Sequence, residues 1–359
     1  MPSATLKDIA LEVGLSVNTV SRVLNGKNKE VWGKTATRAA QIRRAAQRLN
    51  YIPNAAGRAM QARGTGHVGV LLVNDAARRT YYLDAFEFIL GIDDCLAKTG
   101  YVSAVVRVAD VNKAGSESRV FRERVLDGII AVGHHLTDLA GRLENFGLPV
   151  VWLDTNIWNA TGCIRLDDAT AGRMAAAALA KGGWRRLIFL TMKAGPKPHH
   201  SEIERGASVE RFAAEHNMPL KRISVFGSYD EPDAPAPPMP AELEDELRTA
   251  APGELGIVAY NTLHARRLAH STATMGYAPG VHYGLTCCDD NHDLSQTWPA
   301  LSRMSVDRVS MGEMAANMLL QSLRSPKFEA PSRTVVGQWI DGTTSGPPPV
   351  RQLIGERSI

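Results

Sequence analysis

Four side chains near the start of the chain share the outer face of a short predicted helix: Val17, Asn18, Ser21 and Arg22. Polar side chains on such a helix can hydrogen-bond with DNA when the helix enters the major groove. The spacing over residues 5–25 predicts two short helices joined by a turn at Gly14, where glycine allows a positive φ. This pattern indicates a helix-turn-helix, a DNA-binding unit. Spacing alone leaves an ordinary helical hairpin with a glycine corner as the alternative.

The elements that hold this face can also be predicted. We expect Thr5 to cap the first helix, with Asp8 favouring its positive end, and Ser16 to cap the second. A third helix over residues 36–49 is expected to begin at a Thr35 cap. Apolar residues at helical spacing form the inner faces: Ile9, Ala10, Val13, Val20, Val23, Leu24, Ala39, Ile42, Ala46 and Leu49.

Charge is distributed unevenly along the chain. Residues 1–63 hold eleven Lys and Arg against three acidic residues, a net charge of +8, whereas the remaining 296 residues carry −4. A basic segment of this kind suits contacts with phosphate and the release of counterions. A solvated helical face would more often mix both signs, so the asymmetry favours nucleic acid as a partner.

Composition limits the other classes of protein. A chain of 359 residues with 44% hydrophobic content is globular and long enough for two or three domains. We expect a cytoplasmic protein, because the chain shows neither a signal peptide nor an apolar run long enough to span a membrane. The four cysteines are expected to be reduced. The adjacent histidine pairs at 134–135 and 199–200 are poor chelators, and no catalytic triad or phosphate loop is evident, so we expect no metal, no cofactor and no enzymatic activity.

From His67 the pattern changes to alternating strands and helices. Such alternation predicts parallel sheets with helices on both faces, and about 280 residues allow two of them. Ligands of such sheets bind at the carboxyl ends of the strands. The predicted strands cover 68–73, 102–108, 128–132, 149–153, 186–191, 255–260, 282–287 and 334–340, and the predicted helices cover 82–98, 116–126, 169–181, 202–215 and 313–324. The proline-rich residues 229–240 are expected to form a surface loop.

The chain resembles the lactose/galactose-repressor (LacI/GalR) family over nearly its whole length. The resemblance is carried by T-L-K-D-I-A at 5–10, G-L-S at 14–16, T-V-S-R-V-L-N at 19–25 and L-N-Y-I-P-N at 49–54, followed by the double α/β body. It implies an all-α helix-turn-helix head and an α/β body of two doubly wound parallel-sheet subdomains, similar to periplasmic binding proteins. The implied boundaries are 1–52 for the head, 53–66 for a hinge helix and linker, 67–345 for the effector-binding and dimerisation domain, and 346–359 for a tail. The chain is expected to cross between the subdomains near 155–165, 288–295 and 322–330.

The resemblance assigns roles to the head residues. It implies base contacts by Val17, Asn18 and Arg22, and phosphate contacts by a second group: Thr5, Ser16, Thr19, Ser21 and Asn25. In the hinge it implies contacts by Asn54 and Arg58 and a minor-groove wedge at Met60. Capping is an alternative role for Thr5 and Ser16, and linker packing is the alternative for Met60. Gly57 would make the hinge helix harder to form, and the role of Trp32 stays open.

In the body, the resemblance implies a small-molecule effector between the subdomains. The matching residues are Arg205, Asn261, Asp289, Trp298 and Asp154. Each could instead be a structural polar residue, because buried Arg–Asp pairs are common. The expected effector is a sugar or sugar acid, with a nucleobase as the runner-up.

The resulting hypothesis is a homodimeric transcription regulator of the repressor type that binds a pseudo-palindromic operator. A transcription activator on the same scaffold and a cytoplasmic solute-binding protein are the alternatives. The end of the chain lacks a leucine heptad, so we expect dimers and not tetramers.

Overall fold

The computed structural model describes most of the chain. The described residues are 4–24, 33–49, 51, 64–73, 81–108, 125–133, 140–141, 143, 146–191, 198–224, 238–290, 300–325 and 327–347. They belong to two compact units, residues 1–65 and residues 66–359, which we call the head and the body. No helix among the described residues is long and apolar enough to cross a membrane.

The described part of the head consists of three helices around a small core. Helix α1 covers Leu6–Val13, α2 covers Val17–Leu24 and α3 covers Gly33–Arg48. Their buried side chains are mostly those predicted from helical spacing: Ile9, Ala10, Val20, Val23, Ala39, Ile42, Ala45 and Ala46. One expectation was wrong: α3 begins at Gly33, so Thr35 lies inside the helix and does not cap it.

Within the described part of the body, twelve strands form two sheets of six. The first sheet has the order β2-β1-β3-β4-β5-β11, and the second has the order β7-β6-β8-β9-β10-β12. All pairings are parallel except that of β10 with β12. The strands are β1 (His67–Val73), β2 (Val102–Val108), β3 (Gly128–Val132), β4 (Val150–Leu153), β5 (Cys163–Leu166), β6 (Arg186–Thr191), β7 (Leu220–Ser224), β8 (Leu255–Ala259), β9 (Gly284–Cys287), β10 (Ser302–Ser305), β11 (Arg333–Val335) and β12 (Gln338–Ile340).

The body helices pack on these sheets. The first sheet carries α4 (Tyr81–Ala97) and α9 (Arg308–Arg324), and the second carries α5 (Asp168–Lys181), α6 (His200–Glu215) and α8 (Thr262–Ala273). Helix α7 covers Ala241–Thr249. Helices α4 and α9 approach closely because glycines lie at their crossing: a Cβ added at Gly91 would lie 1.9 Å from the Val309 carbonyl oxygen. The same is true of Gly312 against the carbonyl of Phe88, at 2.1 Å.

The chain passes between the two sheets later than the sequence suggests. The first passage follows β5, at residues 166–168, and not 155–165. The second follows β10, at 305–308, and not 288–295, because β10 stays beside β9 in the second sheet. The third lies at 336–337 and not 322–330, since β11 and β12 belong to different sheets. In each case the prediction missed a strand of three or four residues, which is too short to give a periodic signal.

Other elements also differ from the prediction. Strands β5, β7 and β10 and helices α7 and α8 were not predicted, and the single strand predicted at 334–340 is two strands. Helices α6 and α9 begin earlier than expected, at His200 and Arg308. The helix predicted at 116–126 lies outside the described residues except for its last two positions, as do residues 229–237 of the proline-rich loop.

Candidate functional sites

The turn between α1 and α2 is built by local hydrogen bonds. The Thr5 hydroxyl accepts from the Asp8 backbone N–H at 3.4 Å, and Asp8 accepts from the Thr5 N–H at 2.8 Å, which is a capping box. Gly14 follows α1 with φ of 64°, a left-handed conformation that favours glycine. The Ser16 hydroxyl then accepts from the Thr19 N–H at 3.2 Å, so Ser16 caps α2. The capping predictions for Thr5 and Ser16 are confirmed.

These caps leave one face of α2 open to solvent. Val17, Asn18 and Arg22 are exposed, while Val20 and Val23 on the opposite face are buried in the head core. Thr19 and Ser21 are half-buried. An exposed, partly polar face on the second helix can reach base edges in a groove. Of the other head and hinge residues to which DNA contacts were assigned, Asn25, Asn54, Arg58 and Met60 lie outside the described residues.

A chain of alternating charges crosses the body near the carboxyl ends of its strands. We call it the ionic network: Asp154, His200, Asp168, Arg205, Asp289 and Arg308. His200 lies between two carboxylates, with Nε2 at 3.3 Å from Asp154 and Nδ1 at 3.3 Å from Asp168. Arg205 donates from Nε to Asp168 at 2.7 Å and from both terminal nitrogens to Asp289 at 3.3 Å. Arg308 donates to the other oxygen of Asp289 at 2.5 Å.

This network connects elements of both sheets. Asp154 follows β4 of the first sheet, whereas His200 and Arg205 lie on α6, beside the second sheet. At the other end, Arg308 begins α9 and lies 4.0 Å from Glu87 on α4, beside the first sheet. The ionic network therefore links the two halves of the body at both ends. A molecule that binds there would change how the halves are held together.

Burial and neighbouring charges shift the pKa values of these groups. Burial disfavours the charged form of His200, but the carboxylates of Asp154 and Asp168 outweigh it and raise the pKa of His200 to about 9. Burial and the charge of His200 lower the pKa of the neighbouring His199 to about 4. Burial would raise the pKa of Asp168, yet it lies below its usual range because of the Arg205 guanidinium. At neutral pH His200 is charged and His199 is neutral.

The structure brings some of the predicted effector residues together. Arg205 and Asp289 are in direct contact, and Asp154 joins them through His200 and Asp168. Asn261 has a structural role, since its side-chain oxygen accepts from the His264 N–H at 3.2 Å and caps α8. Its neighbour Tyr260 accepts from Arg205 through its backbone oxygen at 2.9 Å. Trp298 lies outside the described residues.

Three members of the ionic network were missed by sequence reasoning. Asp168 lies two residues after a strand that was not predicted, so its place near a strand end was not visible. His200 was considered only as part of an adjacent histidine pair. Arg308 lies before the predicted start of its helix. The sequence signal that could have revealed Asp168 is the aspartate pair at 167–168. In the structure, Asp167 caps α5 and Asp168 is fully buried.

The chain is similar to known proteins over both units. Residues 5–54 match the model of bacterial regulatory proteins of the lacI family, and residues 176–345 match a periplasmic binding protein-like domain. The chain is 34% identical to catabolite control protein A of Streptococcus mutans over 49% of this chain and 51% of that protein. It is 27% identical to the ribose operon repressor of Bacillus subtilis over 88% of this chain and 91% of that protein.

Solved structures show the same fold. A lac repressor dimer bound to operator and an anti-inducer has a TM-score of 0.74 at 18% identity, covering 96% of this chain and all of that one. A complex of the transcriptional regulator CelR with cellobiose has a TM-score of 0.65 at 18% identity, with 95% and 99% coverage. The matches therefore show a helix-turn-helix of the lacI family of bacterial regulatory proteins at residues 5–54 and a periplasmic binding protein-like domain at residues 176–345, and the solved structures show the fold.

Proposed function

We propose that the protein is a repressor that binds a pseudo-palindromic operator as a homodimer and whose affinity for DNA is set by a small-molecule effector. The observation that carries this proposal is the exposed face of α2, presented by a head with a net charge of +8. Relatives named as ribose and sucrose operon repressors support the repressor role. Bound to its operator, the protein would act in the cytoplasm, on the nucleoid.

We assign direct readout to the exposed side chains of α2. Val17, Asn18 and Arg22 would contact base edges, because they lie on the exposed face of the recognition helix. Phosphate contacts would come from polar groups around the turn: Thr5, Ser16, Thr19, Ser21 and Asn25. In the proposed hinge at residues 53–66, Asn54 and Arg58 would contact the DNA and Met60 would enter the minor groove.

We place the effector in the domain of residues 67–345, beside the ionic network. Arg205 and Asp289 would contact it from the second sheet and Asp154 from the first, with Asn261 and Trp298 completing the site. The guanidinium of Arg205 is already paired with Asp168 and Asp289, which leaves little positive charge for a carboxylate ligand. This favours an uncharged sugar over a sugar acid, whereas the preference for a sugar over a nucleobase is supported by the ligands of solved relatives. Solved relatives hold cellobiose and ribose.

Effector and operator would be coupled through the two halves of the body. A ligand that alters the ionic network changes the relative stability of two arrangements of the subdomains, and the head binds DNA better in one of them. The coupling is reciprocal, so an effector that releases the operator must itself bind less tightly to the operator complex.

The proposal is tested by selecting DNA from a random pool with the full chain and footprinting the selected sequence. We expect two inverted half-sites protected together. Screening of neutral sugars, sugar acids and purines by thermal shift then identifies the class of effector, and the active compound is added to the DNA complex. Selection of no common sequence would contradict the DNA-binding assignment, and a shift given only by purines or sugar acids would contradict the neutral-sugar assignment.

A further inference from the structure

One group of side chains within the ionic network has the geometry of a metal site. His200 and Glu204 are four residues apart on α6, so their side chains project from the same face of the helix. Asp168, at the start of α5, faces them. Ligand atoms of these three side chains all lie within 4.8 Å of one another. From this arrangement we infer that Asp168, His200 and Glu204 bind a divalent transition-metal cation.

The strongest support is a pair of buried polar atoms that face each other without a hydrogen bond. His200 Nδ1 and Asp168 Oδ2 are both inaccessible to solvent and face each other as an ion pair at 3.3 Å that makes no hydrogen bond. The side chains that carry them are 7% and 0% exposed. Ligand atoms about 2.0–2.2 Å from a tetrahedral ion are separated by roughly 3.3–3.5 Å. The two atoms therefore already have the spacing of two neighbouring ligands.

The outer contacts of these ligands fit the same role. The other ring nitrogen of His200 lies 3.3 Å from the Asp154 carboxylate, which holds a proton on Nε2 when the ion displaces the proton of the charged imidazole from Nδ1. The other oxygen of Asp168 is held by Arg205 at 2.7 Å, which turns Oδ2 toward His200. Both side chains are thereby fixed in the orientation that coordination requires.

The third side chain provides access. The Glu204 side chain is 42% exposed, whereas Asp168 is fully buried, so an ion can enter from the Glu204 side and keep water as a further ligand. Arg165 lies 3.8 Å from Glu204 and competes with the ion for that carboxylate. One nitrogen and two carboxylate oxygens suit Zn²⁺, Co²⁺ or Mn²⁺ better than Ca²⁺ or Mg²⁺, which prefer oxygen alone.

A second combination of ligands, Asp154, His199 and His200, also lies within reach of one ion. It is less suitable because both ring nitrogens of His199 are already engaged. Nδ1 lies 2.8 Å from the Ser201 hydroxyl, and Nε2 lies 3.1 Å from the Asp154 backbone oxygen. The metal site lies within the ionic network beside which we place the effector, but its test needs neither the effector nor the operator.

The test is titration of the full chain, freed of any histidine tag and of bound metal by a chelator, with Co²⁺ followed by visible absorption and with Zn²⁺ followed by calorimetry. We expect one equivalent to bind. Glu204→Gln should weaken binding at least ~10-fold, and His200→Gln should abolish it. Glu210→Gln is the matched control, since Glu210 lies on the same helix, is 51% exposed and pairs with Arg222.

Three results would overturn the inference. The first is no binding by the wild type at millimolar metal. The second is binding that Glu204→Gln leaves unchanged. The third is loss of binding in His199→Gln with retention in Glu204→Gln, which would assign the ion to the alternative combination. Circular dichroism checks the fold of each variant, and if His200→Gln does not fold, the half-exposed Glu204 decides the result on its own.

Discussion

Replacement of Arg205 by alanine tests how the body is held together. Arg205 is only 4% exposed and donates to Asp168, to Asp289 and to the Tyr260 backbone oxygen. The change removes all of these contacts at once. It leaves Asp168, which is fully buried, with His200 as its remaining cationic neighbour at 3.3 Å.

The contacts that remain after the substitution determine how much the free energy of unfolding falls. Removing one partner of a buried ion pair costs about 3–5 kcal/mol, because the other charge stays buried and uncompensated. Asp289 keeps Arg308, and Asp168 keeps His200, so neither aspartate loses every cation. We therefore expect Arg205→Ala to lower the free energy of unfolding by about 3 kcal/mol, near the low end of that range.

Urea unfolding of the full chain, followed by tryptophan fluorescence, measures this loss, since Trp184 is fully buried in the body. Arg248→Ala is the control: its pair with Asp245 is 62% exposed on both sides and should contribute less than about 1 kcal/mol. The double variant Arg205→Ala with Asp168→Ala should be less destabilised than the sum of the single variants by more than about 1 kcal/mol. A loss below that of the control, or full additivity, would refute the reasoning.

Three further outcomes are expected. Gly91→Ala should destabilise the body by about 1–3 kcal/mol in urea unfolding, because its Cβ would meet the Val309 backbone, whereas Gly141→Ala has open space and should not. Gly14→Ala should lower the stability of α1 and α2 in amide hydrogen exchange by about 1–2 kcal/mol through its φ of 64° alone, and unchanged protection would contradict this. Burial and the charge of Arg267 lower the pKa of His264 to about 3, and an unfolded histidine titrates near ~6.5. The free energy of unfolding is therefore highest above pH 6.5 and falls as the pH drops toward 3. When the pH is lowered to 5.5, the free energy of unfolding of the wild type should fall by about 1.4 kcal/mol more than that of His264→Gln. Equal losses in the two proteins would contradict the lowered pKa.

The described part of the head could be predicted almost completely from the sequence. Its caps and core depend on contacts between residues three or four apart, and such contacts leave a periodic signal. The capping by Thr5 and the left-handed Gly14 follow from residue type and position. The start of α3 could not be placed, because a threonine is acceptable both as a cap and inside a helix.

For the body, the sequence predicted the fold class but not the details of the fold. Alternating strands and helices indicate two parallel sheets, but strands of three or four residues such as β5 and β10 do not stand out from loops. The same limit hid the site. Arg205 and Asp289 were found through the resemblance, whereas the links through Asp168 and His200 depend on contacts between residues far apart in the chain. Charge partners at such separations have no local pattern.

The central claim is that α2 reads a specific DNA sequence. Its most direct test is the affinity of the full chain for the selected operator and for a scrambled duplex, measured at one salt concentration. We expect a ratio of about 10³ or more for the wild type. Arg22→Ala should reduce the discrimination between the operator and the scrambled duplex by about 1–3 kcal/mol. Arg44→Ala removes the same charge from α3 and should weaken binding to both duplexes equally. Equal binding of the two duplexes by the wild type would contradict the account.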